Sequence, residues 1–442
     1  MRKSPERQPD LPKLLAQAKR TFEADTLSLD LELITPLLGG GVITKKVDEV
    51  CWLRGSEVKA SLRFWWRALY GHAYSTAKEL HEAESMRFGS VRGNEGESSP
   101  VAVVVKMLEE ITPMRLSFAA GDPRSGAYFP GAEGLGNQEE TMLGAPGAKA
   151  TLRLVFRKSL PIKERKEIQE ALVAWLVFGG TGSRTRRGAG ALAPLLANQS
   201  MSIGYPATAD QLDAFLRRIA EPKPCKGEFF CLANGARMIR TKDGIPAPEK
   251  AHEALLANWR SFRQNRRHPD NWQGRGPWGQ SLWPEGDVVR RETNTGFDEH
   301  GPHPDHRDQA PRALLGLPIV IHFKSQKKGE DFQILNEASD RYASPIWLGV
   351  ARVWNGTIPV HYGLVAATPS VLRPKVLLRI NRNGQSRKVP VTPAYPVPRQ
   401  KRPEEPAPWA VQNATDMVQR VADAFCAPND TSLKTPSFMP LN

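Results

Sequence analysis

The sequence predicts an α+β protein in which antiparallel sheets carry helices on one face, and it predicts that arrangement twice. Three stretches carry this reading. "LSLDLELITP" (27–36) sets Leu27, Leu29, Leu31 and Leu33 against Ser28, Asp30 and Glu32, the two-residue period of a half-buried strand. "KERKEIQEALVAWLVF" (163–178) places Ile168, Leu172, Trp175 and Leu176 on one side of a helix that stops at Gly179-Gly180. "SPIWLGVARVWNGTIPVHYGLVA" (344–366) turns back on Asn355-Gly356, a two-residue hairpin loop.

The other elements fall into place around these. A charged, Pro-containing leader (1–26) precedes a first unit over 27–205. In it the opening strand ends at Pro36 and Gly39–Gly41, a helix covers about 56–70, and strands cover 101–108 and 149–158 before the helix at 163–178. From 206 to 310 the character changes. Helical stretches at 209–220 and 248–264 read as a linker, and 258–310 reads as a long irregular insertion with Trp259, Trp272, Trp278 and Trp283 among Arg, Asn, Gly and Pro. The second unit, 311–442, opens with an apolar strand at 316–324, followed by the hairpin above and another at 375–391 that turns near Asn383-Gly384. A proline-rich extended linker (390–408) and an amphipathic helix (408–426) close it.

Composition narrows the partners. The 442 residues hold 61 Lys and Arg against 47 Asp and Glu, a net charge of +14, which suits a polyanion such as nucleic acid or an anionic membrane surface. A soluble basic protein without such a partner fits equally well. No apolar run approaches the roughly 18–20 residues that span a bilayer, and no apolar core follows the basic N-terminus as a signal peptide requires. Four cysteines are too few for a disulfide framework, which places the chain in a reducing cytoplasm. Cys225 and Cys231 form the only near pair; their five-residue separation fits no common zinc spacing, so all four cysteines read as small apolar residues.

"SLRFWWRALYGH" (61–72) raises a geometric question, because two adjacent tryptophans cannot face one way. With Ser56 as N-cap and about 100° per residue, Val58, Leu62, Trp65 and Leu69 share a narrow arc that forms a core stripe. Lys59, Arg63 and Arg67 form a ridge beside it, with Trp66 and Tyr70 inside that ridge. Trp65 is therefore structural. Trp66 either widens the core or offers an aromatic platform for unpaired bases, with the cations meeting phosphates. Arg54-Gly55 adds a cation and a permissive backbone just before the helix.

"GGTGSRTRRGAGAL" (179–192) follows a helix and lacks the Gly-Lys-Ser/Thr of a P-loop, and it does not lead from strand into helix as a dinucleotide fingerprint would. It presents Arg184, Arg186 and Arg187 on a backbone with few Cβ atoms, which suits a curved phosphate backbone pressed close; a solvated flexible loop is the alternative.

"ITPLLGGG" (34–41), "LRGSEVKASLRFWWRALYG" (53–71) and the glycine-rich loop, in that order, resemble the RAMP superfamily of CRISPR effector proteins. Within it, "LRFWWRALYG" is most similar to the first RAMP subunits of type III-B (Cmr) RNA-targeting complexes, and "GLPIVIHFK…RYASPIWL" (316–348) resembles their second half. The resemblance implies two ferredoxin-like (RRM-like) domains. It implies a non-catalytic subunit contacting guide RNA and target RNA near the guide 3′ end, beside other RAMP subunits of the Cmr complex, with no cofactor and no metal. Matched onto the motifs, Arg54, Lys59, Arg63, Trp66 and Arg67 fall in the first block and Arg184, Arg186 and Arg187 in the loop.

Two other readings stay open. A RAMP-type metal-independent endoribonuclease would need a general acid and base, for which His72 and Tyr70 stand nearest the basic helix. His72 at a helix end also serves as a dipole partner, His300, His303 and His306 are interrupted by Pro302 and Pro304, and Asp122 has no evident acidic partner. A free-standing single-stranded RNA-binding protein would need no partner subunits at all.

Overall fold

Leu29, Leu31 and Leu33 are fully buried while Ser28 stays exposed, as their alternation requires. The structure is a computed structural model that describes residues 26–115, 141–264, 283–296, 306–369, 375–394, 411–426 and 436–441, a few single positions aside. The leader, Asp122, Trp272, Trp278, His300, His303 and most of the proline-rich stretch lie outside the described residues.

The first unit runs β1 (Thr26–Leu33), α1 (Gly55–Tyr70), α2 (Ala77–Phe88), β2 (Val101–Met107), β3 (Lys149–Phe156), α3 (Ile162–Phe178) and β4 (Leu192–Pro194). Its strands pair antiparallel in the order β4-β1-β3-β2, which is the ferredoxin-like βαββαβ topology with α2 added. Helices α1 and α3 cover one face through Leu62, Trp65, Ile168, Leu172 and Trp175, all at most 1% exposed.

The remainder runs α4 (Ala209–Ala220), β5 (Arg237–Thr241), α5 (Pro248–Gln264), α6 (Glu285–Thr293), β6 (Ile319–Ile321), β7 (Asp331–Asn336), β8 (Ile346–Asn355), β9 (Ile358–Ala367), β10 (Val376–Arg382), β11 (Gln385–Val391), α7 (Ala414–Cys426) and β12 (Phe438–Pro440). Strands β12-β5-β9-β8 form an antiparallel sheet in that order. With α5 and α7 as the crossovers, this is the ferredoxin-like order again. The second unit therefore begins at Arg237, not at 311: the segment expected to be linker supplies its first strand and helix. The short mixed run "RMIRT" has no partner nearby in sequence to mark it as a strand, because its neighbours β9 and β12 lie far along the chain.

Helices lie on one face within each unit, α5 and α7 in the second; the opposite face of the second sheet is covered from outside it, by α3 of the first unit and by α4. On β8 and β9, Trp347, Ala351, Val353, Leu364 and Ala366 share a core with α3 and α4, while Ile346, Leu348, Val350, Val365 and Ala367 share one with α5 and α7. Burial on both sides explains why "IWLGVARVW" lacks a polar face.

A third antiparallel sheet, β6-β7-β10-β11, is built from two excursions out of the second unit and has a core of its own, with Val288 and Val289 of α6 against Phe332, Ile334, Leu378 and Ile380. The hairpin at 375–391 belongs here and not to the second ferredoxin-like sheet. His306 is part of this module's interior: its Nδ1 lies 2.6 Å from Asp287, which also accepts from Arg290 Nη1 at 2.8 Å.

The two ferredoxin-like units are joined by buried polar contacts. Arg352 on β8 donates from Nη1 to Glu32 on β1 at 2.7 Å and from Nε to His361 Nε2 at 3.2 Å. An accepting Nε2 leaves the proton on Nδ1, which faces the carbonyl of Pro246 at 3.0 Å. Burial, and then the Arg352 guanidinium, hold the His361 pKa below the usual 6.5. The neutral ring is thus favoured in the folded chain, so its contribution is present above about pH 6.5 and is lost as pH falls below that value. Urea unfolding between pH 8 and pH 5 should show stability falling below about 6.5 with a slope of up to about 1.4 kcal/mol per pH unit from this group. The slope should be smaller in His361→Gln; an unchanged slope would count against the assignment.

Candidate nucleic-acid interface

Helix α1 presents three faces. Val58, Leu62, Trp65 and Leu69 form the expected core stripe. Lys59, Arg63 and Arg67 form the expected row of cations, and each is half-buried. The row faces α2, where Glu84, 3% exposed, accepts from Arg67 Nη1 at 2.6 Å and from Arg63 Nε. One carboxylate thus offsets part of the charge of two guanidiniums. Burial, and then Arg63, lower the Lys59 pKa. Arg54 occupies the N-cap and pairs with Asp48 at 2.7 Å.

Trp66 corrects the sequence reading. It does not point outward as a stacking platform: it is 0% exposed, and its Nε1 donates to Glu167 Oε2 of α3 at 2.9 Å. The Arg87 guanidinium stands 4.7 Å over its ring while Arg87 Nε bonds the same Glu167 oxygen at 2.7 Å. On the wheel Trp66 lies at the edge of the cation row, about 20° from Lys59 and about 40° from Leu62, yet α2 and α3 close over that side of the helix. The second tryptophan is therefore the pin that ties three helices together around one buried carboxylate.

The third face of α1, through Glu57, Ser61, Phe64 and Ala68, was not singled out from the sequence although a spacing of 4, 3 and 4 marks it. Glu57 accepts from the backbone N–H of Gly182 and so joins α1 to the glycine-rich loop. Phe64 stacks on Phe230 at 5.5 Å and packs against Trp347 at 5.0 Å.

The loop itself is an internal clasp between the units, not a bed for a foreign phosphate backbone. Gly188 and Gly190 have φ of +74° and +67°, and a Cβ on Gly190 would fall 2.0 Å from the Thr181 carbonyl oxygen. What approaches closely is the chain's own backbone. Arg186 and Arg187, expected to meet RNA phosphates, turn into the seam. Arg187 Nη1 donates to the carbonyls of Ile346 at 3.1 Å and Arg186 at 3.0 Å, and its guanidinium lies 4.6 Å over Trp259. Burial, then Arg263, Arg186 and Arg184, disfavour its charge strongly. Arg186 bonds the Ser344 carbonyl and stands 4.5 Å over Trp347. No signal in the loop alone showed this, because the acceptors lie some 160 residues later.

Arg184 behaves differently. It is exposed, holds φ +65° in the left-handed region, and is fixed there by the Arg187 N–H donating to its carbonyl at 2.8 Å. Partial desolvation, then neighbouring Arg341, disfavour its charge. An anion near this pair would relieve that repulsion.

The face of the first sheet away from α1 and α3 carries Ser28, Asp30, Glu32, Arg153, Val104 and Lys106, with Glu32 held by Arg352 of the second unit and Asp30 by Gln199. The one aromatic on β1, β2 or β3, Phe156, is 8% exposed in the helix-side core. Base stacking on the sheet, the habit of RRM domains, has no side chain to use there. The acid–base candidates are engaged locally: the Tyr70 hydroxyl donates to Glu170, and burial and that carboxylate push it far above the phenol range. His72 Nδ1 lies 3.1 Å from the Leu69 carbonyl. Among the described residues no group of three or more His, Cys, Asp or Glu side chains could hold a metal ion, and no helix is long and apolar enough to cross a membrane.

Residues 30–193 match the family model of the RAMP superfamily, which is the first unit almost from end to end. No curated protein matches the chain. Among solved structures, the chain is similar to the apo form of Cmr1 from Pyrococcus furiosus, with 20% identity and a TM-score of 0.44 over 78% of this chain and 88% of that one. It is also similar to a chain of the type III-B Cmr-beta complex bound to cognate target RNA, with 12% identity and a TM-score of 0.43 over 77% and 94%.

Replacing Trp66 by Phe keeps an aromatic ring but removes the N–H that Glu167 accepts and some buried volume, which should cost about 1–3 kcal/mol or more in urea unfolding. RNA affinity per folded molecule should stay unchanged; a selective loss of affinity without loss of stability would return Trp66 to the binding surface.

Proposed function

We propose, on the premise that residues 30–193 form a RAMP-superfamily domain, that this chain is a non-catalytic RNA-binding subunit of a type III-B CRISPR effector complex, working in the cytoplasm. In this reading it contacts guide RNA and target RNA near the guide 3′ end and docks beside other RAMP subunits. The observation that carries the reading is Arg184, exposed in a rigid left-handed conformation beside Arg341 at the tip of the glycine-rich loop. A fixed backbone at Arg184 leaves only the side chain to order when its guanidinium meets a phosphate. The half-exposed row Lys59, Arg63 and Arg67 and the net charge of +14 support the same partner. Arg186 and Arg187 act by holding the loop, and Trp66 by holding the helices.

Binding of a labelled single-stranded RNA over a salt series tests this. Arg184→Ala should weaken binding alike for all sequences and lower the slope of log K against log salt by roughly 0.7, and Arg63→Ala with Arg67→Ala by up to twice that. Unchanged affinity and slope in both variants would overturn the assignment. Incubation of the same RNA with and without magnesium should leave it intact; cleavage lost in His72→Ala would establish the nuclease reading instead.

A further inference from the structure

The segment after α4 crosses the C-terminal end of α1 and is pinned to it twice. The Lys226 N–H donates to the His72 carbonyl at 3.0 Å, and the Leu232 N–H donates to the Ala68 carbonyl at 2.8 Å. Between these pins lie Phe229 and Phe230, the latter stacked on Phe64. Just beside them stand two thiols. Cys225 Sγ and Cys231 Sγ are 3.5 Å apart, both reduced, and Cys225 is exposed while Cys231 is 2% exposed. A disulfide holds its sulfurs about 2.05 Å apart, so the sulfurs need to close by about 1.5 Å. The pins already hold the backbone on either side. Reading all four cysteines as inert apolar residues does not survive this arrangement, since Cys51 and Cys225 are exposed.

We propose that Cys225 and Cys231 form a reversible redox site that closes to an intramolecular disulfide under peroxide and rings the Phe229–Phe230 loop, which the two backbone hydrogen bonds hold against the end of α1. Their environments assign the order of events. Cys225 is open to solvent and meets the oxidant first. Burial, and then the hydrogen bond with Cys225, push the Cys231 thiol up to about 12, so it does not meet the oxidant first, and its place 2% exposed and 3.5 Å from Cys225 Sγ makes it the resolving group. The Cys225 thiolate attacks one peroxide oxygen, the O–O bond breaks, and the departing hydroxide takes up a proton to become water. This leaves a sulfenic acid on Cys225. Cys231 sulfur then attacks the Cys225 sulfur, the S–O bond breaks, and the hydroxide leaves as water with the Cys231 proton. Two thiols are oxidised to one disulfide, and one peroxide is reduced to two waters. A dithiol reductant reverses the step. The inference does not depend on the proposed RNA partner.

The test uses the full-length purified chain. It is treated with one equivalent of hydrogen peroxide, free thiols are blocked with N-ethylmaleimide, and peptides are mapped by mass spectrometry without reduction. The expected result is two alkylated cysteines, Cys51 and Cys426, and a Cys225–Cys231 peptide about 2 Da lighter than the dithiol. Dithiothreitol should restore four alkylation sites. Cys231→Ser should instead accumulate sulfenic or sulfinic acid on Cys225. Four alkylated cysteines after peroxide, overoxidation of Cys225 in the unaltered chain, or linkage of Cys225 to Cys51 or Cys426 would each overturn the proposal.

Discussion

The architecture depends on Arg187. Its guanidinium is buried among carbonyls at the seam of the two ferredoxin-like units, where removing a charge from water is costly unless hydrogen bonds and an aromatic face replace the lost solvent. The carbonyls of Arg186 and Ile346 and the face of Trp259 supply both. Around that point the backbone is fixed from several sides. His252 Nε2 meets the Arg187 carbonyl at 2.7 Å, the Leu348 N–H donates to the Arg186 carbonyl at 3.1 Å, and Thr35 Oγ1 donates to the Gly188 carbonyl at 2.7 Å. The loop therefore belongs to both units. Its neighbours inherit their positions from it: Arg186 over Trp347, Phe64 against Trp347, and Arg184 turned outward.

This changes how a basic sequence should be read. Eight residues had the composition of a phosphate-binding surface, yet the structure spends several of them on itself. Arg186 and Arg187 satisfy carbonyls, Arg54 satisfies Asp48, and Arg63 and Arg67 share Glu84. Internal use does not waste them. A cation whose neighbours are rigid is presented in one geometry. The Arg54–Asp48 pair lies at the surface, where such pairs are weak, whereas Glu84 is buried and must keep Arg63 and Arg67 as partners even where they face outward. Arg184 gains most, since the clasp beneath it maintains a backbone conformation that a free loop would abandon.

The interior of the first unit follows the same logic with the opposite sign. Glu167 is buried and must be paired, and Arg87 and the Trp66 N–H do this from α2 and α1. Removing any partner leaves a polar group stranded, so the three helices are specified together rather than merely packed. That the pair of tryptophans divides into a core filler and a hydrogen-bonded pin follows from their separation by one residue on a helix whose two sides are both covered.

Local pattern was enough wherever one face of an element meets a core and the other meets water. The alternation of β1, the stripe of α1, the stop of α3 at Gly179 and the turn at Asn383-Gly384 were legible, because period and turn chemistry are properties of a few consecutive residues. The other hairpin turns one residue later than its sequence suggests, on Gly356-Thr357, because Asn355 still pairs with Ile358. The α+β class and the position of the glycine-rich loop follow from them. Only the tertiary structure decided which strands pair across long separations, and hence that β5 opens the second unit and that a third sheet grows out of it. Only it decided which charges meet partners, because Glu84, Glu167, Ile346 and Trp259 reach their arginines from distant parts of the chain. Burial and pairing are set by what arrives from elsewhere in the chain, and no window of sequence contains that.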